Sequence, residues 1–266
     1  MIKANGVKID INHFPDGTTL MKFDKFYEPS VIVWHYENEN ELLALLYITK
    51  HLRSHNVQTV SLVMPYIPNA RQDRTKNNED VFTLKYFAEV INSLNFYTVK
   101  VLDPHSYVSE GLIDRISIDT PQRFVDRVLD KLGKEREVDL LFYPDEGAMK
   151  RYASMFSKPY AFGVKNRDWR TGKILDLRIE GDTNRLKDSR VLIIDDICSR
   201  GGTFYYSAKE LRKHGAKEVF LYISHCENTI LDGDLLNENI IQRVYTTDSI
   251  FTKNHKMIEV MHYEGY

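Results

Sequence analysis

The run Val191–Thr203, VLIIDDICSRGGT, constrains this chain more than any other stretch. Four apolar residues, Val191–Ile194, read as a strand buried on both faces. Two acids, Asp195 and Asp196, follow directly. A short loop with Gly201 and Gly202 comes next, and Thr203 opens a helical pattern. Adjacent carboxylates at the end of a buried strand are costly without a partner. Two vicinal sugar hydroxyls would supply one. The glycines let backbone N–H groups approach a phosphate, which the positive end of the following helix favours. The plain alternative is an Asp-capped turn with no ligand.

Elsewhere short apolar runs alternate with amphipathic ones. Strands are expected at Val31–Trp34, Val57–Met64, Thr98–Leu102, Leu140–Tyr143, Tyr160–Val164 and Val219–Ser224. Helices are expected at Asn38–His55, Thr83–Leu94, Pro121–Leu132, Gly147–Met155 and Thr203–His214. Such alternation means α/β units with mostly parallel sheet, here in two lobes dividing near Asp119–Pro121. Parallel sheets bind ligands at the carboxyl ends of their strands. Three of those ends carry acidic or metal-competent residues: Asp103-Pro104-His105, Pro144-Asp145-Glu146 and Asp195-Asp196.

Composition narrows the classes. Lys plus Arg number 36 against 38 Asp plus Glu, so binding of nucleic acid by bulk charge is not expected. Two cysteines, Cys198 and Cys226, are too few for a disulfide framework or a zinc site, which suits a reducing cytoplasm. The N-terminus lacks the apolar core of a signal peptide, and no apolar run approaches a membrane span. No P-loop and no dinucleotide-binding glycine fingerprint is present.

The Val191–Thr203 run resembles the diphosphoribosyl-binding loop of the type I phosphoribosyltransferase fold, and further segments resemble the ribose-phosphate diphosphokinases. PYIPNARQDR (Pro65–Arg74) is similar to their ATP-binding segment, which implies ATP contacts for Arg71, Gln72 and Arg74. LDPHS resembles a segment that would bring His105 to ATP-bound Mg²⁺. FYPDEGAMKRY (Phe142–Tyr152) resembles the family's Pro-Asp-x-Gly-x-x-x-Arg run, implying that Asp145 binds ribose or its metal. FGVKNRDWRTGKI (Phe162–Ile174) resembles a catalytic loop whose cations are Lys165 and Arg167; on a strand, residues i and i+2 share a face. FPDG (Phe14–Gly17) resembles a segment that lends Phe14 and Asp16 to the ATP site of a neighbouring subunit, which implies at least a dimer. A plain Pro-Asp-Gly turn is the alternative there. The resemblance runs from about Phe14 to Ile250.

It implies two phosphoribosyltransferase-like lobes. Residues 1–120 would form an ATP-binding lobe, with 246–266 returning to it, and residues 121–245 a ribose-phosphate lobe. It implies transfer of the β,γ-diphosphate of ATP to the anomeric hydroxyl of ribose 5-phosphate, with Lys165, Arg167 and Arg71 catalytic. Asp195, Asp196 and the loop Ser199, Arg200, Gly201, Gly202, Thr203 would bind the sugar phosphate. The family's Asp-Thr-Gly-Gly-Thr is here Ser199-Arg200-Gly201-Gly202-Thr203, which raises the local charge by two units. ADP-ribose is therefore a second candidate acceptor. A phosphoribosyltransferase and a non-catalytic regulatory relative stay open as other readings.

Overall fold

The computed structural model describes residues 1–167, 174–237 and 239–265; the side chains of 165–167 and 174–177 lie outside that description. The chain divides into two compact units, with the break between Thr120 and Pro121.

The first unit contains β1 (Ile2–Ala4), β2 (Val7–Lys8), β3 (Asn12–His13), β4 (Thr19–Leu20), β5 (Ser30–Trp34), α1 (Asn40–Ser54), β6 (Val60–Val63), α2 (Thr83–Ser93), β7 (Val99–Leu102), α3 (Val108–Leu112) and β8 (Ile116–Asp119). Its sheet runs β2-β1-β5-β6-β7-β8. The last four strands are parallel, and β1 and β2 extend the edge antiparallel. A separate hairpin, β3–β4, carries the FPDG turn. The core joins Ile32, Trp34, Leu62 and Val101 of the sheet to Leu45, Ile48 and Leu52 of α1 and to Leu84, Phe87 and Ile91 of α2. On α1 the buried apolar residues are Ala44, Leu45, Ile48 and Leu52, the stripe a 3.6-residue period selects, with Leu42 and Leu46 packing at its margins.

The second unit contains α4 (Gln122–Gly133), β9 (Leu140–Tyr143), α5 (Glu146–Tyr152), β10 (Tyr160–Arg167), β11 (Ile174–Gly181), β12 (Arg190–Cys198), α6 (Gly202–Lys213), β13 (Glu218–Cys226), β14 (Arg243–Thr247) and β15 (Ile258–Met261). Its order is β11-β10-β9-β12-β13-β14-β15, with only β11 antiparallel. The strands β9 and β12 lie at its centre, and Leu140, Phe142, Val191 and Ile193 are fully buried. The fold is thus α/β with two mostly parallel sheets.

Two expectations change. The C-terminal segment was expected to return to the first lobe from residue 246. Instead β14 and β15 continue the second sheet by parallel pairing on β13, and only the chain from Tyr263 onward belongs to the first unit. There Tyr263 donates its hydroxyl to Asp119 Oδ2 at 2.9 Å. The acids Asp195 and Asp196 were expected at a strand tip. The strand runs on to Cys198, because β13 keeps pairing with it as far as Cys226.

Candidate active site

In the second unit the acid pair meets a cation. Arg151, near the end of α5, places Nη2 3.1 Å from Asp195 Oδ1 and 2.7 Å from Asp196 Oδ1. All three side chains are withdrawn from water, at 15%, 15% and 3% exposure. A charge-assisted bridge of this kind is what lets two neighbouring carboxylates survive beside a core. Asp145 caps the same helix, its Oδ1 accepting from Ala148 N at 3.0 Å. One guanidinium thus bridges two carboxylates, and the charge of Asp145 also acts on Asp195. Burial, and then the adjoining Asp196 carboxyl, push the Asp195 pKa up from its ordinary value.

That shift has a consequence for stability. The folded chain keeps a proton on Asp195 at pH values where the unfolded chain has lost it. Stability contributed by this group is therefore present below the ordinary value of 3.8 and falls as pH rises above it. Asp195→Asn should gain on the wild type in urea unfolding as the pH is raised from 4 to 7. A difference that stays constant over that range would show that Asp195 titrates normally.

Beyond β12 the loop turns at Gly201, whose φ of +80 is left-handed and suits glycine. Gly201 caps α6, Gly202 and Thr203 form its first turn, and Arg200 is exposed. The leading N–H groups of a 12-residue helix are thus presented just past the acid pair. Asp195, Asp196, Ser199, Arg200, Gly201, Gly202 and Thr203 form one continuous feature, and Asp145 joins it through α5.

Lys165 and Arg167 sit on the backbone of β10, which pairs in parallel with β9 as far as Tyr143 and then runs on. Both positions are therefore at the end of the sheet where Asp145 stands. Pairing with β11 skips a step there: Asn166 faces Asp176, and Arg167 faces Ile174. Their side chains lie outside the described residues, as does the rest of the basic loop, 168–173.

In the first unit, Arg71, Gln72 and Arg74 lie on the loop between β6 and α2. Gln72 supports the start of α2, its Oε1 accepting from Thr83 Oγ1 at 2.7 Å. Arg74 clasps the buried Asp73 through Nε at 2.8 Å and Nη2 at 3.1 Å. That hydrogen bond, with the charges of Arg74 and His105, holds the Asp73 carboxyl below its ordinary pKa. Thus Asp73, Arg74 and His105 are neighbours. Asp103, two residues before His105, adopts φ +40 and donates its N–H to Asp119 O at 2.9 Å. Phe14 is exposed on its hairpin. Asp16 builds the turn itself, accepting from Thr18 N at 2.9 Å and Thr18 Oγ1 at 2.7 Å.

Two comparisons place the chain. Residues 2–94 match the model of the N-terminal domain of ribose phosphate pyrophosphokinase, and residues 149–238 match that of the phosphoribosyl transferase domain. The ribose-phosphate pyrophosphokinase of Mycoplasma genitalium is 30% identical over 229 residues, which are 82% of this chain and 67% of that protein. The chain belongs to the ribose-phosphate pyrophosphokinase family. Ribose-phosphate pyrophosphokinase 1 of Listeria monocytogenes is 28% identical over 267 residues, covering 96% of this chain and 81% of that one. The crystal structure of phosphoribosylpyrophosphate synthetase from Mycobacterium smegmatis superposes with a TM-score of 0.79 at 20% identity, over 96% of this chain and 86% of that one. It is the likeness of fold that this superposition carries.

Against that family frame, the residue missed by sequence reasoning is Arg151. It closes the Pro-Asp-x-Gly-x-x-x-Arg run, in which only Asp145 was singled out. The signal was present: two adjacent acids on a buried strand require a cation. Also missed was the polar floor under the strand ends. There His225 Nδ1 lies 2.8 Å from Ser249 Oγ, and Thr247 Oγ1 donates to Ser224 O at 2.6 Å. Both partners come from the Thr246–Ile250 segment. Among the described residues no helix is long and apolar enough to cross a membrane.

Proposed function

We propose that this chain transfers the β,γ-diphosphate of ATP to the anomeric hydroxyl of ribose 5-phosphate, giving phosphoribosyl diphosphate and AMP. The observation that carries the reading is the second unit's acid pair, bridged by Arg151 and followed at once by the glycine turn into α6. Family membership supports ATP as the diphosphate donor. The relatives are named for ribose phosphate, and nothing in them supports ADP-ribose as acceptor. A phosphoribosyltransferase that joins the sugar to a base would call on the second unit alone. The match over residues 2–94 favours the kinase.

The acceptor's 2- and 3-hydroxyls would donate to Asp195 and Asp196, so that the sugar competes with or joins Arg151 at the carboxylates. The N–H groups from Ser199 to Thr203 would hold the 5-phosphate, with Arg200 adding a cation at the rim. In the first unit Phe14, Asp16, Arg71, Gln72, Arg74 and His105 are the proposed ATP contacts. The anomeric hydroxyl would attack the β-phosphorus in line. Transfers of this type need positioning and charge stabilisation more than covalent help. Lys165, Arg167 and Arg71 would supply the positive charge.

Mg²⁺ fits the donors. Among the described residues no group of three acids or histidines is gathered for a metal, but Asp145 offers the hard oxygen donors that suit this cation. Mg²⁺ completes its shell with water and substrate phosphates, so it needs only one or two protein ligands. His105 in the first unit and Asp145 in the second are each proposed as a ligand. When bound, the ion would neutralise phosphate charge. We place the enzyme in the cytoplasm as a homo-oligomer, with Phe14 reaching a neighbouring subunit's ATP.

Incubation with ATP, Mg²⁺ and ribose 5-phosphate should yield AMP and a sugar diphosphate, followed by chromatography and phosphorus NMR. AMP formed with ADP-ribose in preference to ribose 5-phosphate would overturn the acceptor assignment. No AMP with either sugar, from folded protein, would overturn the reaction.

A further inference from the structure

The loop Ser199–Thr203 does not keep its shape alone. After β13 the chain forms a 3₁₀ turn, Asn228–Asp232, and comes back against it. A Cβ placed on Gly233 would lie 1.9 Å from the Arg200 carbonyl oxygen. Gly233 itself has φ −105 and ψ 171, which any residue adopts. What forbids a side chain there is the carbonyl, not the dihedral. One residue along the loop, a Cβ on Gly201 would come within 2.9 Å of Leu235 Cδ2, and Leu235 is fully buried.

This bracket is anchored at its base. Glu227 N donates to Cys198 O at 2.8 Å. Asn228 Nδ2 donates to Thr252 Oγ1 at 2.9 Å, and Thr252 N donates back to Asn228 Oδ1 at 3.0 Å. Ile230 is buried beneath the turn. The Arg200–Gly201 peptide is trans and planar, so its carbonyl and its N–H point in opposite directions. Seating the Arg200 oxygen against Gly233 therefore aims the Gly201 N–H away from the bracket. Among the described residues that N–H has no acceptor.

We infer that Gly233 and Leu235 are positioning residues for the phosphate-holding loop, acting through the Arg200 carbonyl and Gly201. The inference rests on the reading of that loop as the holder of the sugar's phosphate. A methyl group at residue 233 must push the Arg200 carbonyl aside and turn the Gly201 N–H with it. Loss of the Leu235 side chain removes the wall behind Gly201.

Gly233→Ala and Leu235→Ala should each raise the KM for ribose 5-phosphate on the order of tenfold to a hundredfold, the scale of a misplacement of about 1 Å. The KM for ATP should stay within about twofold, because the first unit's loops are untouched. Leu235→Met should restore most of the loss, since it refills the wall. Amide NMR gives a readout apart from turnover. Inorganic phosphate should shift the Gly201 amide of the wild-type protein at lower concentration than in Gly233→Ala. If the wild type forms no AMP, the proposed reaction fails and the phosphate titration alone decides the bracket. Equal rises in both KM values, or equal phosphate titrations in wild type and variant, would overturn the inference.

Discussion

Replacing Arg151 with methionine should destabilise the second unit by on the order of 3–5 kcal/mol at neutral pH, the usual cost of stripping one partner from a buried ionic cluster. The magnitude follows from what remains. Asp195 and Asp196 would stay at 15% and 3% exposure with no guanidinium between them, and Asp145 nearby adds to the repulsion. The chain can relieve this only by holding protons on the acids. The deficit should therefore shrink as pH falls and grow as pH rises. Urea unfolding at pH 4.5 and pH 7.5 measures both values. Adding Asp196→Asn to the methionine variant should recover part of the loss, because it removes a charge that lacks its counter-ion. That recovery, set against the two single changes, is the coupling energy of the pair. A pH-independent loss below about 1 kcal/mol would mean that Arg151 is an ordinary surface cation. Turnover with ribose 5-phosphate should be lost as well, since the acid pair proposed for the ribose hydroxyls would be displaced.

The same cluster shows why some of this molecule is legible from sequence and some is not. Val191–Ile194 reads as a central strand because an apolar run bounded by acids and glycines has few other uses. The glycine turn at Gly201 is legible for the same local reason: only a left-handed residue joins that strand to that helix so tightly. Arg151 is 44 positions from Asp195, and nothing in a local window ties them together. Only the demand of two buried charges for a counter-ion points to it. Gly233 was not singled out either. Its dihedrals are ordinary, and its need to be glycine comes from a carbonyl 33 residues earlier in the chain. β11 is not among the strands expected from the sequence, because it is an edge strand of mixed composition beside β10. The sheet that the C-terminal strands join is not legible locally, because it is decided by parallel pairing of β14 on β13 and of β15 on β14. On α1, leucine alone does not mark the packed face: Leu43 is 44% exposed, whereas Ala44 is buried.

Lys165→Ala should lower kcat on the order of 100-fold or more, about 2.7 kcal/mol of lost transition-state stabilisation. The argument starts from strand topology. β10 pairs with β9 only as far as Tyr143, so residue 165 stands past the last position paired to β9, held by β11 alone, at the sheet end where Asp145 and the acid pair are found. Thermal unfolding, measured beside kcat, separates a loss of catalysis from a loss of fold. ATP brings concentrated negative charge, and transfer of its diphosphate shifts that charge toward the leaving oxygen of AMP. A cation aimed at that shift acts mainly in the transition state. It should therefore change kcat far more than either KM. Arg167→Ala should behave alike. If the two cations act on one phosphate group, the double variant should cost much less than the sum of the single losses. Additive losses would assign them to separate groups. Near-normal kcat for Lys165→Ala would remove it from the mechanism and leave charge stabilisation to Arg71, Arg167 and the metal.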